Sequence, residues 1–490
     1  MRKCCFFLAV AAVAAAAGAG EFKVGFSRVD ITPPLGSFMP GYFKDRRAKE
    51  ILDPLQINCV AFSDGEKIAL LQQIDTEALS DAVASKMMDA IEKATGVGRE
   101  SVILHASHTH DGGFLVMKAL PGDSKSGPSV GDGVPENATE LDFLYVGMAI
   151  TRAADAAVAA IADLKSAELS VGRSHARRIS FGRRYLMKDG KVRTNPGTNN
   201  PDIVKPVGNP PDEEVQVLRI DRKGAKPIAI INFQTHPDVV GGESITADWP
   251  GLTRTVFEAA VFGDAHAIVV NGTQGDVNHC NVAPKPGEMN GLKRDFDGCD
   301  RGYAHAKHMA NVIASAALSV WMKCAPLPSG KIKSAVSKVR VPVQKAKDSD
   351  EKNLSWAKKI WAMHEEGKDA QLPWKGMELT TEVARAGRIV RVADGPDFFE
   401  IPLTSFAIGS SVAFGGFPGE PFNDIGKQIK KLSPFKLTIL SCLSNGSRGY
   451  FPFSDSYKQG GYESAASPFG PSVADDLIAG ELKLLENLAR

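Results

Sequence analysis

Five apolar runs, each handing over to a Gly- or Pro-containing loop with chemically useful side chains, constrain this 490-residue chain most. "SVILHA" leads to Ser107, His108 and His110; "IAIINFQT" to His236 and Asp238; "AIVVNGT" to Gln274, Asp276 and Asn278; "VAFGGFPG" to Glu420; "LTILSCLSNGS" to Arg448 and Tyr450. Short apolar runs bounded by turn residues read as buried strands. Between them lie helical patterns such as "ALSDAVASKMMDAIEKATG", "LDFLYVGMAITRAADAAVAAIADLK" and "YAHAKHMANVIASAALSVWMK", and the chain ends on "VADDLIAGELKLLENLAR". Strands alternating with helices predict an α/β fold, with mixed, substantially parallel sheet layers and helices. Open α/β sheets bind ligands beyond the carboxyl ends of their strands, so the five handovers imply one shared crevice.

Lysine and arginine number 58 against 57 acidic residues, a net charge of +1, which leaves no electrostatic footprint for nucleic acid. A small or weakly charged substrate fits better. Arg2 and Lys3, a short apolar run and the small residues at Gly18–Gly20 have the layout of a cleaved secretory signal over 1–20, with a mature domain over 21–490. The expectation is an exported protein, periplasmic or secreted, with no integral membrane segment after cleavage. Beyond Cys4 and Cys5 the cysteines are Cys59, Cys280, Cys299, Cys324 and Cys442, without C-x-x-C spacing. Cys280 and Cys299 bracket a Pro/Gly-rich loop and are candidates to pair in an oxidising compartment; buried free thiols fit the sequence equally well. Leu120–Glu140 is rich in Gly, Pro and Ser and reads as a long surface loop, either a lid or an idle insertion.

The residues themselves leave alternatives open. A lone histidine after a strand is ordinarily a hydrogen-bonded loop residue, whereas His108 and His110, two apart on an extended segment, face the same way. His105, in an apolar context, reads as a packed strand residue. Asp276 in "GTQGDVNH" either meets a ligand or makes a local backbone bond, and "GFPGEPF" is either a plain helix entry or a carboxylate offered to a cation. No G-x-S-x-G elbow is present, so Ser107 lacks an activating setting. Metal-activated water is the better proposal, because zinc with N and O ligands lowers the pKa of water to about 7.

In order, "VGFSRVDITPPLGSFMPGYF", "ASHTHDGG" and "GYFPFSDSYKQGGYE" resemble the neutral ceramidase family, zinc amidases that cleave the N-acyl bond of ceramide. The resemblance runs over the whole mature chain and implies Zn²⁺ ligands at His108, His236, Glu420 and Tyr450. It implies His110 beside the metal on the substrate side, Tyr462 as the second active-site tyrosine, and the active-site arginine at Arg183 or Arg184. Two departures argue against ceramide itself. Asn278 in "GDVNH" stands where the family carries a serine, which removes a nucleophile from that position, and the chain ends at Arg490 without the family's C-terminal immunoglobulin-like domain.

The resulting expectation is a zinc hydrolase. His110 and Tyr462 stabilise an oxyanion, Arg183 orients substrate, and Asp276 and Asn278 complete a polar wall. Its substrate is an acylated lipid or glycan. Alternative readings are a zinc hydrolase of a polar glycan or ester, and a non-catalytic binding protein on the same scaffold.

Overall fold

The structure, a computed structural model, describes residues 21–42, 45–116, 138–286, 288, 293–295, 298–345 and 350–490. The expected leader at 1–20 and the 120–137 part of the expected loop lie outside these residues.

Two sheets pack face to face with helices outside both. The larger runs His266–Asn271, Ala225–Phe233, Glu214–Arg222, Lys165–His175, Lys23–Asp30, Gln56–Ser63, Ile68–Ile74, Val102–Ala106, with Ala325–Leu327 also on Lys165–His175. The smaller runs Ile332–Pro342, Phe398–Ile408, Val412–Gly416, Leu437–Ser441. Strands buried on both faces read as unbroken apolar runs. In His266–Asn271, Ile268 and Val270 enter the core between the sheets with Phe62, Phe406 and Phe414. Ala267 and Val269 face the other way, toward Phe257 and Trp321 of the helices Asp248–Ala260 and Tyr303–Trp321. The other half of that face is covered by Asp81–Thr95 and Glu140–Ala162. By length and composition Glu140–Ala162 is apolar enough to cross a membrane, but its Ala149, Ala153 and Ala157 face is buried in the core. Helices Asn423–Leu432 and Val473–Ala489 cover the smaller sheet through Ile425, Ile429, Leu477 and Leu485.

The α/β class and mixed sheets stand as expected, but the parallel pairing is narrower than the apolar runs suggest. The interior of the larger sheet is antiparallel. Tight turns cause this. Asp64 Oδ1 accepts the N–H of Glu66 (2.9 Å) and Lys67 (2.8 Å) in one, and Gly224 turns another at φ 70°. Parallel pairs are Ile68–Ile74 with Val102–Ala106, Ala225–Phe233 with His266–Asn271, and Val412–Gly416 with Leu437–Ser441. All five handover strands belong to these pairs.

Their carboxyl ends are tied together across the two sheets. Cys442 N–H donates to the Asn271 carbonyl (3.1 Å) and Asn445 N–H to the Leu104 carbonyl (2.9 Å). His105 is the packed strand residue expected: Nδ1–H donates to the Cys442 carbonyl (2.8 Å) and Nε2 accepts the Asn271 N–H (3.0 Å). Burial pushes its pKa down to about 4, so it stays a neutral bracket for three loops.

Under the smaller sheet, the Glu481 carboxyl is fully buried and accepts one hydrogen bond from Ser405 Oγ (2.7 Å). Burial raises its pKa from 4.5 to about 7. The folded state therefore holds this proton more tightly than the unfolded chain. Its contribution is complete below about pH 4.5 and is lost as pH rises through about 7, a change of about 3 kcal/mol. Glu481→Gln is expected to flatten that part of the stability profile and to stabilise the protein at pH 8, read from urea unfolding across pH 5–8. An unchanged profile would remove Glu481 as its source.

Candidate metal centre

His108 leaves the strand Val102–Ala106 in the left-handed region at φ 74°, which few non-glycine residues adopt. Its N–H donates to the Thr76 carbonyl (2.9 Å) and its Nδ1–H to the Glu77 carbonyl (2.8 Å). The pair therefore meets through a backbone kink and not by simple strand alternation. His108 and His110 rings stand edge to face, centroids 4.7 Å apart. His236, three residues past Ala225–Phe233, donates Nδ1–H toward the carbonyls of Gln274 (2.9 Å) and Val277 (3.2 Å). Glu420 and Tyr450 are register partners in a short parallel ladder, the Glu420 N–H on the Gly449 carbonyl (2.9 Å). Gly275 permits the close approach of its loop to this ladder: a Cβ there would lie 2.5 Å from the Glu420 carbonyl oxygen.

These anchors decide which nitrogen faces inward. Both Nδ1 atoms donate to backbone carbonyls, so each Nε2 presents a lone pair. Glu420 Oε2 lies 3.3 Å from His108 Nε2 and 3.0 Å from His236 Nε2, and His110 Nε2 is 3.3 Å from His108 Nε2. Facing lone pairs at such distances repel unless a cation stands among them. The donor atoms of His108, His110 and His236 lie within 4.8 Å of one another. Imidazole nitrogens with a carboxylate oxygen suit zinc.

The electrostatics agree. Burial would raise the Glu420 carboxyl, but His108 and His236 outweigh it and hold its pKa well below the usual range. Burial would lower His108, yet Glu420 and Glu77 lift it to about 8, so a proton holds the cation's place in the metal-free chain. Burial, with Arg183 for His236 and with His108 for His110, keeps the other two imidazoles neutral. The Tyr450 ring stacks near that of His236 (6.4 Å, 17°) and Tyr462 stands edge-on to Tyr450 at 5.5 Å. Burial raises both phenols, so both keep their protons in the metal-free chain.

Of the two candidate arginines, Arg183 is the one at the centre. Its Nη1 is 3.2 Å from His236 Nε2, Nη2 donates to the Gly275 carbonyl (2.7 Å), and Nε donates to Glu463 Oε1 (2.7 Å). Arg184 turns away to Ser456 Oγ and the Gly460 carbonyl, both 2.8 Å. With these N–H groups committed to Glu463, His236 and the Gly275 carbonyl, Arg183 braces the loops that meet at the cluster. Asp276 and Asn278 do not line the cluster through their described contacts. Asp276 Oδ1 accepts the N–H of Asn423 (2.7 Å) at the start of Asn423–Leu432. Asn278 donates to Asn195 Oδ1 and accepts from the Cys280 N–H, each at 3.0 Å. Short loops force these jobs on them, because Val277–Asn278 pairs with Phe181–Gly182 and so delivers Arg183. Arg448 likewise bonds Asp81 Oδ2 (2.6 Å).

Sequence reasoning passed over Glu463 and gave Gln274 no role. Gln274 Nε2 donates to Glu420 Oε2 (3.2 Å). Glu463, fully buried, holds Arg183 and also Thr194 Oγ1 (2.8 Å), with Arg184 Nε 3.6 Å away. Two adjacent arginines in "FGRRY" were the available signal, since buried guanidinium groups need a carboxylate. Glu463→Gln is expected to cost about 3–5 kcal/mol in urea unfolding, because it strips the countercharge from buried Arg183. A loss below about 1 kcal/mol would show that water reaches this pair.

No family model and no curated protein matches the chain. Among solved structures it is similar to the neutral ceramidase from Pseudomonas aeruginosa, with a TM-score of 0.68, 17% identity, and coverage of 96% of this chain and 76% of that one. A ceramidase complexed with C2 matches over the same shares at 17% identity and a TM-score of 0.66. In its fold, the chain is thus similar to neutral ceramidases.

Proposed function

We propose that this chain is an exported zinc-dependent hydrolase that cleaves an N-acyl amide bond, with His108, His236, Glu420 and Tyr450 as the ligands. The observation that carries the reading is the convergence of two anchored Nε2 lone pairs on one Glu420 oxygen, at 3.3 and 3.0 Å. Zinc bound there would supply a Lewis acid and a water acidified to a pKa of about 7. Arg183, over the Tyr450 ring and 3.2 Å from His236 Nε2, sets a fixed positive charge beside the site, kept ionised by Tyr450 and Glu463 against the cost of burial, and zinc on that nitrogen would displace its N–H. Tyr462 keeps its phenol proton and His110 stays neutral, which leaves both suited to donate to an oxyanion that develops on the substrate carbonyl. Gly41, at φ 104°, lets its loop close on the His110 ring, where a Cβ would stand 2.8 Å from Nδ1.

The amide bond comes from the likeness in fold to ceramidases, and the anchored donor set supports metal-dependent hydrolysis over a bare binding role. A Cys280–Cys299 disulfide supports the exported reading, while Cys59, Cys324 and Cys442 are free.

His108→Ala and His236→Ala are each expected to lose the zinc, found at about one per chain by elemental analysis of the parent, and to lose turnover of an N-acyl substrate. His110→Ala is expected to keep the metal and to lose turnover by about 10²–10³-fold. Metal loss in His110→Ala would make it a ligand in place of Tyr450. A folded parent without stoichiometric zinc, even after zinc is supplied, would favour the binding-protein reading. Hydrolysis of O-acyl but not N-acyl substrates would favour the ester reading.

A further inference from the structure

A second group of metal-competent side chains stands apart from the His108 cluster. Cys280 and Cys299 are joined as a disulfide with Cα atoms 5.5 Å apart. The ligand atoms of His279, Cys280 and Cys299 lie within 4.8 Å of one another, with His279 Nε2 4.0 Å from Cys280 Sγ. A tetrahedral zinc with Zn–S of about 2.3 Å and Zn–N of about 2.0 Å sets its ligand atoms about 3.5 Å apart, so His279 Nε2 would close slightly on Cys280 Sγ while the two sulfurs, freed from their bond, move apart.

The surroundings of His279 are those of a metal-binding imidazole. Its Nδ1 faces Asp238 Oδ1 at 3.1 Å, and Asp238 is held in turn by Arg301 Nη2 at 2.9 Å. A carboxylate on Nδ1 fixes the ring and directs Nε2 outward, the arrangement that commonly backs a ligating histidine. Nε2 now lies 3.2 Å from the Asp300 carbonyl, a contact an ion would replace. A cavity of about 280 Å³ bordered by His279, Cys280, His305 and His308 gives an entry path. The His305 ring is 5.8 Å from that of His279, within reach of an ion held there.

We propose that Cys280, Cys299 and His279, completed by His305 or a water from the cavity, form a zinc site in the dithiol form of this chain. Two thiolates with imidazole are a donor set that zinc favours. An external dithiol reduces the Sγ–Sγ bond: two electrons and two protons pass to the cysteines as the dithiol closes to its own disulfide. Zn²⁺ then binds both sulfurs as thiolates and the two protons leave to solvent, with no change in the oxidation state of zinc. The loop between the cysteines is thus stapled by a covalent bond in one form and by an ion in the other. In both forms the staple braces Val277–Asn278, whose pairing with Phe181–Gly182 delivers Arg183.

Cobalt(II) uptake reads this directly. The chain is reduced with a dithiol, desalted under anaerobic conditions and titrated with cobalt, beside the oxidised chain. The reduced form is expected to take up about one more ion per chain and to develop a thiolate-to-cobalt charge-transfer absorption. Cys280→Ser and Cys299→Ser are expected to lack both, and His108→Ala to keep both, which separates this site from the His108 cluster. Alkylation of the reduced parent, mapped by mass spectrometry, needs no variant: zinc is expected to slow labelling of Cys280 and Cys299 and leave Cys324 unchanged. Equal cobalt uptake by both forms, absorption that persists in folded Cys280→Ser, or labelling indifferent to zinc would overturn the proposal.

Discussion

Glu420 Oε2, placed between His108 Nε2 and His236 Nε2, is the contact on which the crevice depends. A carboxylate oxygen against two imidazole nitrogens is tolerable only with a positive charge among them, whether a proton or a metal ion. The fold enforces the arrangement. Each donor follows a member of a parallel strand pair, and the two sheets bring those carboxyl ends together. Backbone carbonyls of Glu77, Gln274 and Val277 then occupy each Nδ1 and turn each Nε2 toward Glu420, with Arg183 Nη1 also 3.2 Å from that of His236.

How much of this was legible in the sequence depended on how local the signal was. His108, His236, Glu420 and Tyr450 each follow a short apolar run at a Gly- or Pro-marked turn, and the structure brings these loops to one place. The antiparallel interior of the larger sheet was less visible, because a strand buried on both faces looks the same whichever way its neighbour runs. Its signals were small: "SDGEK" and "RKG", turns too short for a crossover helix. The role of Glu463 was hidden because it is a partnership over a separation of 280 residues, which no local pattern reports.

Asp276 and Asn278 carry scaffold contacts that their place in the sequence did not announce. Both sit in a loop that does border the cluster, since the Gly275 carbonyl and the Val277 carbonyl hold Arg183 and His236. The Asp276 side chain, however, accepts the Asn423 N–H at the start of Asn423–Leu432, and the Asn278 side chain bridges Asn195 and the Cys280 N–H. Close to a crevice, a polar residue is as often the scaffold of the chemistry as its agent, because backbone turned toward a ligand leaves donors and acceptors that must be satisfied behind it.

The committed state of Asn278 also bears on which chemistry the site can host. With its amide N–H donating to Asn195 and its carbonyl oxygen accepting from Cys280, this side chain cannot swing toward a substrate without breaking two buried hydrogen bonds. An amide is in any case no nucleophile. Ser107 offers no substitute, because no imidazole is hydrogen-bonded to its buried hydroxyl. Neither of these side chains therefore serves as a nucleophile, and the described crevice concentrates other groups: anchored Nε2 nitrogens, a carboxylate held ionised by the neighbouring imidazoles, and protonated phenols beside a fixed guanidinium.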